Sequence, residues 1–226
     1  MAALRAVVFD MDGLILDSER VALLCLQEAA RACGAEIGLE MCTALIGLTA
    51  EDSCRYLRAR LGASFPLNET WTRFVELYEH RAAQPIPAKD GLFEILDFLD
   101  ARRLKTAVAT STAHGLALHK LRLAKVAERF AAVVGGDQVL RGKPHPDLFA
   151  AAAAALAVRP AECIALEDSE NGARAALAAG MPLIVVPDLK PPPDDVKAAA
   201  LATVPSLHAA IDAIRAVIER TERDLP

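Results

Sequence analysis

The sequence predicts an α/β fold: a parallel sheet covered by helices on both faces, with a helical segment inserted after its first strand. Three observations predict it. From residue 86 onwards, short continuously apolar runs alternate with helical stretches, the pattern of parallel strands buried on both faces. One further run of this kind, LRAVVF at residues 4–9, stands apart near the start of the chain. Between them, residues 15–85 carry helical signals and no strand candidate. The length agrees, since 226 residues amount to about one and a half domains of roughly 150 residues. The expected division is a core at residues 1–14 and 86–226 and an insertion at residues 15–85.

The first strand stops at Asp10. Ser18 is placed to cap a helix from Glu19 to Cys33, closed by Gly34. A further helical stretch covers Leu39–Leu45. Thr49 and Asp52 have capping-box spacing, with Asp in place of Glu or Gln, and open a helix to Leu61 that Gly62 stops. Asn68 caps a helix reaching about Ala83, and Pro85 and Pro87 break the pattern. Helices near Asp90–Arg102, Ala113–Leu123, Asp147–Ala157 and Asn171–Ala179 then each precede a strand. These strands are Lys105–Thr110, Ala131–Val134, Glu162–Leu166 and Pro182–Val186. Pro187–Asp195 (PDLKPPPDD) reads as an extended surface loop, and a last helix runs from about Ser206 to Arg220.

Composition narrows the function. At 54% hydrophobic and 24% charged residues the chain is not disordered. Only 4% of residues are aromatic and alanine is abundant, which favours close helix packing. A net charge of −5 argues against a nucleic-acid binder with a broad basic face. An anionic ligand would need a few local cations, a metal or backbone N–H groups. The five cysteines, Cys25, Cys33, Cys42, Cys54 and Cys163, form no Cys-x-x-Cys pair and read as buried reduced thiols. The first apolar stretch runs into Asp10 and Asp12, unlike a signal peptide. The longest apolar run, Leu148–Val158, is too short to span a bilayer. The expectation is a soluble cytoplasmic protein, monomeric by default, without membrane or nucleic-acid partners.

Ligands of open parallel sheets bind outside the carboxyl ends of the strands, so the polar residues there matter most. Asp10 and Asp12 leave the first strand as an i, i+2 pair. They suit Mg²⁺, which takes hard oxygen ligands, and equally a nucleophile with an acid/base partner. Thr110 and Ser111 offer hydroxyls and N–H groups to a phosphate; taken alone they read as helix caps. Lys143, before Pro144, could neutralise a phosphoryl group; taken alone it reads as a surface lysine. Glu167 and Asp168 end another strand and could complete a metal site with Asp10. The set is far more specific than any member.

At these residues the chain resembles the haloacid dehalogenase (HAD) superfamily of phosphohydrolases, and more narrowly its branch with a helical cap, which includes β-phosphoglucomutase and many small-metabolite phosphatases. FDMDGLILDSE, VATST, GKPHPDLF and LEDSENG match its four motifs in order. The resemblance implies a Rossmann-like, HAD-like core with residues 15–85 as the cap. It implies Asp10 as the nucleophile and Asp12 as the general acid and then base. It places Mg²⁺ on the Asp10 and Asp168 carboxylates and the Asp12 carbonyl, with Glu167 as a ligand or as the orienter of its waters. Thr110, Lys143 and the Ser111 N–H would bind the phosphoryl group.

The departures select within the family. β-Phosphoglucomutase carries a histidine in the first cap helix; the stretch Asp17–Ala22 has none. The mutase also carries a cap arginine for a second phosphate; Ala50 stands at the matching position. Dehalogenases lack the second aspartate, present here as Asp12. Phosphonatase-type members use a cap lysine, and residues 15–85 contain no lysine. The implied activity is Mg²⁺-dependent hydrolysis of a small phosphorylated metabolite, with sugar phosphates among the candidates. The alternatives are a sugar phosphomutase and a non-catalytic phosphate-binding protein on the same scaffold. Trp71 is expected in the core of the cap.

Overall fold

The computed structural model describes residues 3–46 and 50–223. The first strand, β1 (Ala6–Phe9), is followed by four helices, α1 (Ser18–Ala32), α2 (Leu39–Leu45), α3 (Ala50–Leu61) and α4 (Leu67–Ala82). Helices and strands then alternate: α5 (Leu92–Ala101), β2 (Lys105–Ala109), α6 (His114–Leu123), β3 (Ala132–Val134), α7 (Asp147–Ala155), β4 (Cys163–Glu167), α8 (Glu170–Ala178) and β5 (Leu183–Val185). The chain ends with α9 (Asp194–Ala199), β6 (Ala202–Thr203) and α10 (Leu207–Arg223). The six strands form one parallel sheet in the order β3-β2-β1-β4-β5-β6.

Strand alternation divides the core. Val7, Phe9, Val108, Ile164 and Leu166 face α5, α6 and α10 across one layer of large apolar side chains. Ala6, Val8, Ala107, Ala109, Cys163 and Ala165 face the other way, against Leu148, Phe149, Ala152 and Ala153 of α7. The small residues on this second face explain the alanine run of α7: without bulky side chains on either side, helix and sheet pack closely. Three of the expected helix stops are seen as glycines with positive φ, Gly34 (77°), Gly62 (82°) and Gly180 (76°).

Helices α1–α4 enclose a separate apolar cluster built on Leu23, Leu26, Ala30, Ile37, Leu57 and Leu67. The strands of chain leading into and out of these helices lie side by side. The Asp17 N–H donates to the Pro87 carbonyl and the Lys89 N–H to that of Ile15, both at 2.9 Å.

Several sequence expectations are corrected. Ser18 is the buried first residue of α1, with Asp17 at the cap position and no side-chain cap. Asn68 lies inside the first turn of α4, because the helix starts at Leu67 with Pro66 at the cap position. The expected capping role of Thr49 lies outside the described residues. Pro187–Asp195 is only partly a surface loop: the Asp188 carboxylate is 3% exposed and Leu189 packs on the cluster of α1–α4. Helix α9 and strand β6, at six and two residues, are too short for periodicity to reveal. The described cysteines are free, and Cys25, Cys42 and Cys163 are buried while Cys33 and Cys54 are half-buried. No helix of the described residues is long and apolar enough to cross a membrane.

Candidate active site

The central strand β1 has β2 on one side and β4 on the other, so the chain crosses over at this point of the sheet. The residues following these three strands converge where a ligand crevice forms in an open α/β sheet. Asp10, Thr110, Glu167 and Asp168 are all buried there.

Lys143 arrives from the segment between β3 and α7. Its ammonium donates to Asp10 Oδ1 and, at 2.6 Å, to Glu167 Oε1. The other Glu167 oxygen, Oε2, accepts from the Ser169 N–H at 2.7 Å and the Ser169 hydroxyl at 2.9 Å. Both oxygens of Glu167 are therefore engaged in holding Lys143 and the turn into α8. Asp168 differs, since its Oδ1 is buried without a hydrogen-bond partner.

Asp10, Glu167 and Asp168 each offer an oxygen within 4.8 Å of the others. Burial pushes Asp10 up to about 7, with Lys143 opposing and Glu167 adding to the rise. Asp168 is raised well above the ordinary carboxylate range by burial and by the charges of Glu167 and Asp10. Burial disfavours the Lys143 ammonium, but Asp10 and Glu167 outweigh it and hold the lysine charged. Fully ionised, the three carboxylates exceed the one ammonium by two charges. A divalent cation would balance that excess and satisfy the orphaned Asp168 oxygen, so the residues present fit a hard metal ion.

Asp12 belongs to a second hydrogen-bonded set. Its Oδ2 accepts from the Thr112 hydroxyl at 2.7 Å and lies 3.4 Å from the Thr110 hydroxyl. Its Oδ1 accepts from Lys120 on α6 at 3.0 Å. Burial would raise Asp12, but Lys120 and Thr112 outweigh it and hold the carboxyl below its usual range. The Thr110 hydroxyl also accepts from the Thr112 N–H at 3.1 Å. The expected helix capping by Thr110 or Ser111 is not seen; instead Asp137 accepts from the His114 N–H at 2.7 Å at the start of α6. Ser111 is exposed at the rim, where its carbonyl meets Gly136: a Cβ on that glycine would lie 2.3 Å from it.

Two participants escaped the sequence reading. Lys120 sits in an ordinary helical pattern ten residues past Thr110, and nothing local marks it as buried. Glu19, on α1, is pushed up to about 7 by burial and by the charges of Asp12 and Asp188. It lines a cavity of about 310 Å³ with Asp52, Asp168, Asn171 and Lys190, among others, between α1–α4 and the sheet. Trp71 is half-buried and lines, with Phe74 and Glu19, a neighbouring cavity of about 300 Å³.

Residues 7–186 match the family model described as haloacid dehalogenase-like hydrolase. A phosphorylated carbohydrates phosphatase from Thermotoga maritima is 30% identical over 178 residues, covering 79% of this chain and 82% of its own. A β-phosphoglucomutase from Bacillus subtilis is 29% identical over 185 residues, covering 79% and 81%. Among solved structures, CbbY from Rhodobacter sphaeroides in complex with phosphate superposes with a TM-score of 0.69 at 27% identity, covering 90% of this chain and 95% of that one.

Proposed function

The chain belongs to the haloacid dehalogenase-like hydrolases, and from that premise we propose that this phosphatase hydrolyses a small phosphorylated metabolite through an aspartyl-phosphate on Asp10. The observation that carries the reading is the clamp around Asp10. Its carboxylate is buried, oriented by Lys143, and clustered with Glu167 and with Asp168, one oxygen of which has no partner.

In this reading Asp10 attacks the phosphoryl group in line, and the bond to the leaving alkoxide breaks as the Asp10–phosphorus bond forms. Lys143, Thr110 and the Ser111 N–H bind the phosphoryl oxygens and offset their charge. Asp12, entering the cycle protonated, gives its proton to the leaving oxygen and then takes one from the water that hydrolyses the aspartyl-phosphate, so each turnover regenerates the acid. Asp10 and Asp168 through their carboxylates and Asp12 through its carbonyl would hold Mg²⁺, with Glu167 holding Lys143 in place beside it. When bound, the metal would supply electrostatic stabilisation of the transferring phosphoryl group. Helices α1–α4, within residues 15–85, serve as a cap that excludes water and reads the leaving group. The similarity to a carbohydrate phosphatase supports sugar phosphates as the first substrates to test.

A Mg²⁺-dependent phosphate-release panel over sugar phosphates, nucleotides and short acid phosphates tests the reading. Release from at least one sugar phosphate is expected, and Asp10→Asn abolishes it without unfolding the protein. The likeness to a β-phosphoglucomutase supports a second reading as a mutase. An isomerised sugar phosphate without free phosphate would favour it, although Asp17–Ala22 contains no histidine.

A further inference from the structure

Both oxygens of Asp12 are occupied, and by partners of unequal strength. Oδ1 receives a charge-assisted bond from Lys120, whereas Oδ2 receives only hydroxyls. Lys120 is not a solvated lysine. Its side chain is 2% exposed, its ammonium lies 3.4 Å from the Tyr78 hydroxyl, and it stands 5.5 Å from the centre of the Tyr78 ring. Keeping an ammonium dry is costly before pairing, and an apolar side chain would fill the same space without that cost. Tyr78 belongs to α4, so Lys120 joins the helical unit to Asp12.

We propose that Lys120 is a positioning residue for the acid/base aspartate, pinning Asp12 Oδ1 so that Oδ2 is the oxygen that exchanges its hydroxyl partner for the leaving-group oxygen. The inference rests on the role of Asp12 given under Proposed function. A carboxylate held at one oxygen cannot swing away from the reacting atoms, and proton transfer requires a heavy-atom approach of about 2.6–3.2 Å. Tyr78 shares the ammonium and ties this setting to the place of α4.

Two substrates with different leaving groups test the proposal. p-Nitrophenyl phosphate releases a phenolate that needs little protonation, whereas a sugar or glycerol phosphate releases an alkoxide that needs it. The kcat/KM value covers steps up to departure of the leaving group, so it isolates the acid step. Losing Lys120 also lets Asp12 protonate more readily, so the proteins are compared at their own pH maxima, where Lys120→Met is expected to lose about 100-fold in kcat/KM on the alkyl phosphate and less than about threefold on p-nitrophenyl phosphate. Lys120→Gln keeps a donor in the buried site and serves if the methionine variant does not fold; its expected loss is about 10-fold, with the same skew. Asp12→Asn sets the reference skew. Equal losses on both substrates, or an alkyl-phosphate loss below about threefold, would overturn the role of Lys120. Equal losses in Asp12→Asn would instead remove the acid role of Asp12, and no phosphate release by the unsubstituted protein would remove the phosphatase reading, so the three failures are distinct.

Discussion

Gly13 and Asp168 approach so closely that a Cβ on the glycine would lie 2.3 Å from the Asp168 Oδ2 oxygen. The glycine also has a φ of 88°, which L side chains rarely adopt. Gly13→Ala therefore strains the backbone and displaces a carboxylate assigned to the metal. We expect the Mg²⁺ concentration for half-maximal activity to rise about 10-fold or more. We also expect a stability loss of about 1–2 kcal/mol. A metal titration of activity and a urea melt check both; an unchanged Mg²⁺ response would separate Gly13 from the metal site.

Gly172 stands in the same relation to Glu167, where a Cβ would lie 1.5 Å from Oε1. Glu167 is fully buried and holds both Lys143 and Ser169, so it cannot turn aside. Gly172→Ala is expected to lose about 2–3 kcal/mol of stability, together with most of its turnover, as Lys143 is dislodged. Denaturant midpoints and phosphate release measure the two effects.

The acidic cluster makes stability depend on pH in a stated direction. Asp10 is raised from its ordinary 3.8 to about 7, and Glu19 from 4.5 to about 7. A raised carboxyl stabilises the folded state below its unfolded value, and that contribution is lost as pH rises through the folded one. Asp12 is shifted the other way, so its contribution is lost only in acid and does not offset this. With a chelator present, Tm should therefore fall between pH 5 and pH 8. Mg²⁺ should flatten the decline, and calorimetry in two buffers should show proton release on binding near pH 6–7. A chelated protein whose Tm rises over that range would contradict the assignment.

Asp188 pins the helical unit to the sheet. Its nearly dry carboxylate accepts from Lys89 at 2.6 Å and from Arg20 of α1 at 2.8 Å, and Arg20 also reaches Asp17 at 2.7 Å. Arg20 and Lys89 are partly exposed and can turn to water when the partner is lost. Asp188→Ala is expected to cost about 1–2 kcal/mol, below the loss from a fully buried pair. The difference from the unsubstituted protein should shrink in high salt, as urea melts would show.

Much of the fold was legible because its signals are local. The apolar run ending at Asp10, the glycines after the helices and the prolines near residue 86 each act within a few residues, and each marks a boundary seen in the structure. Short elements were not legible: β6 is two residues long, and its membership in the sheet comes from pairing with β5. Helix starts are less legible than helix ends: Pro66 takes the cap position that Asn68 suits by residue type, and Asp17 and Ser18 are neighbours of equal capping propensity.

The sequence by itself determined the family, the parallel sheet, the inserted helices and the carboxylates, hydroxyls and lysine at the strand ends, since motif spacing and strand periodicity are properties of neighbouring residues. The tertiary structure alone decided which of those groups touch. It separated Asp10, with Lys143, from Asp12, with Thr112, though the aspartates are two residues apart. It showed that Glu167 is already engaged while Asp168 keeps a free oxygen. It also brought Lys120 to Asp12 across 108 residues of sequence. The strength of a buried ion pair depends on desolvation and on distances of a few ångströms, and both are set by how α6 packs on the sheet and how Tyr78 of α4 meets Lys120.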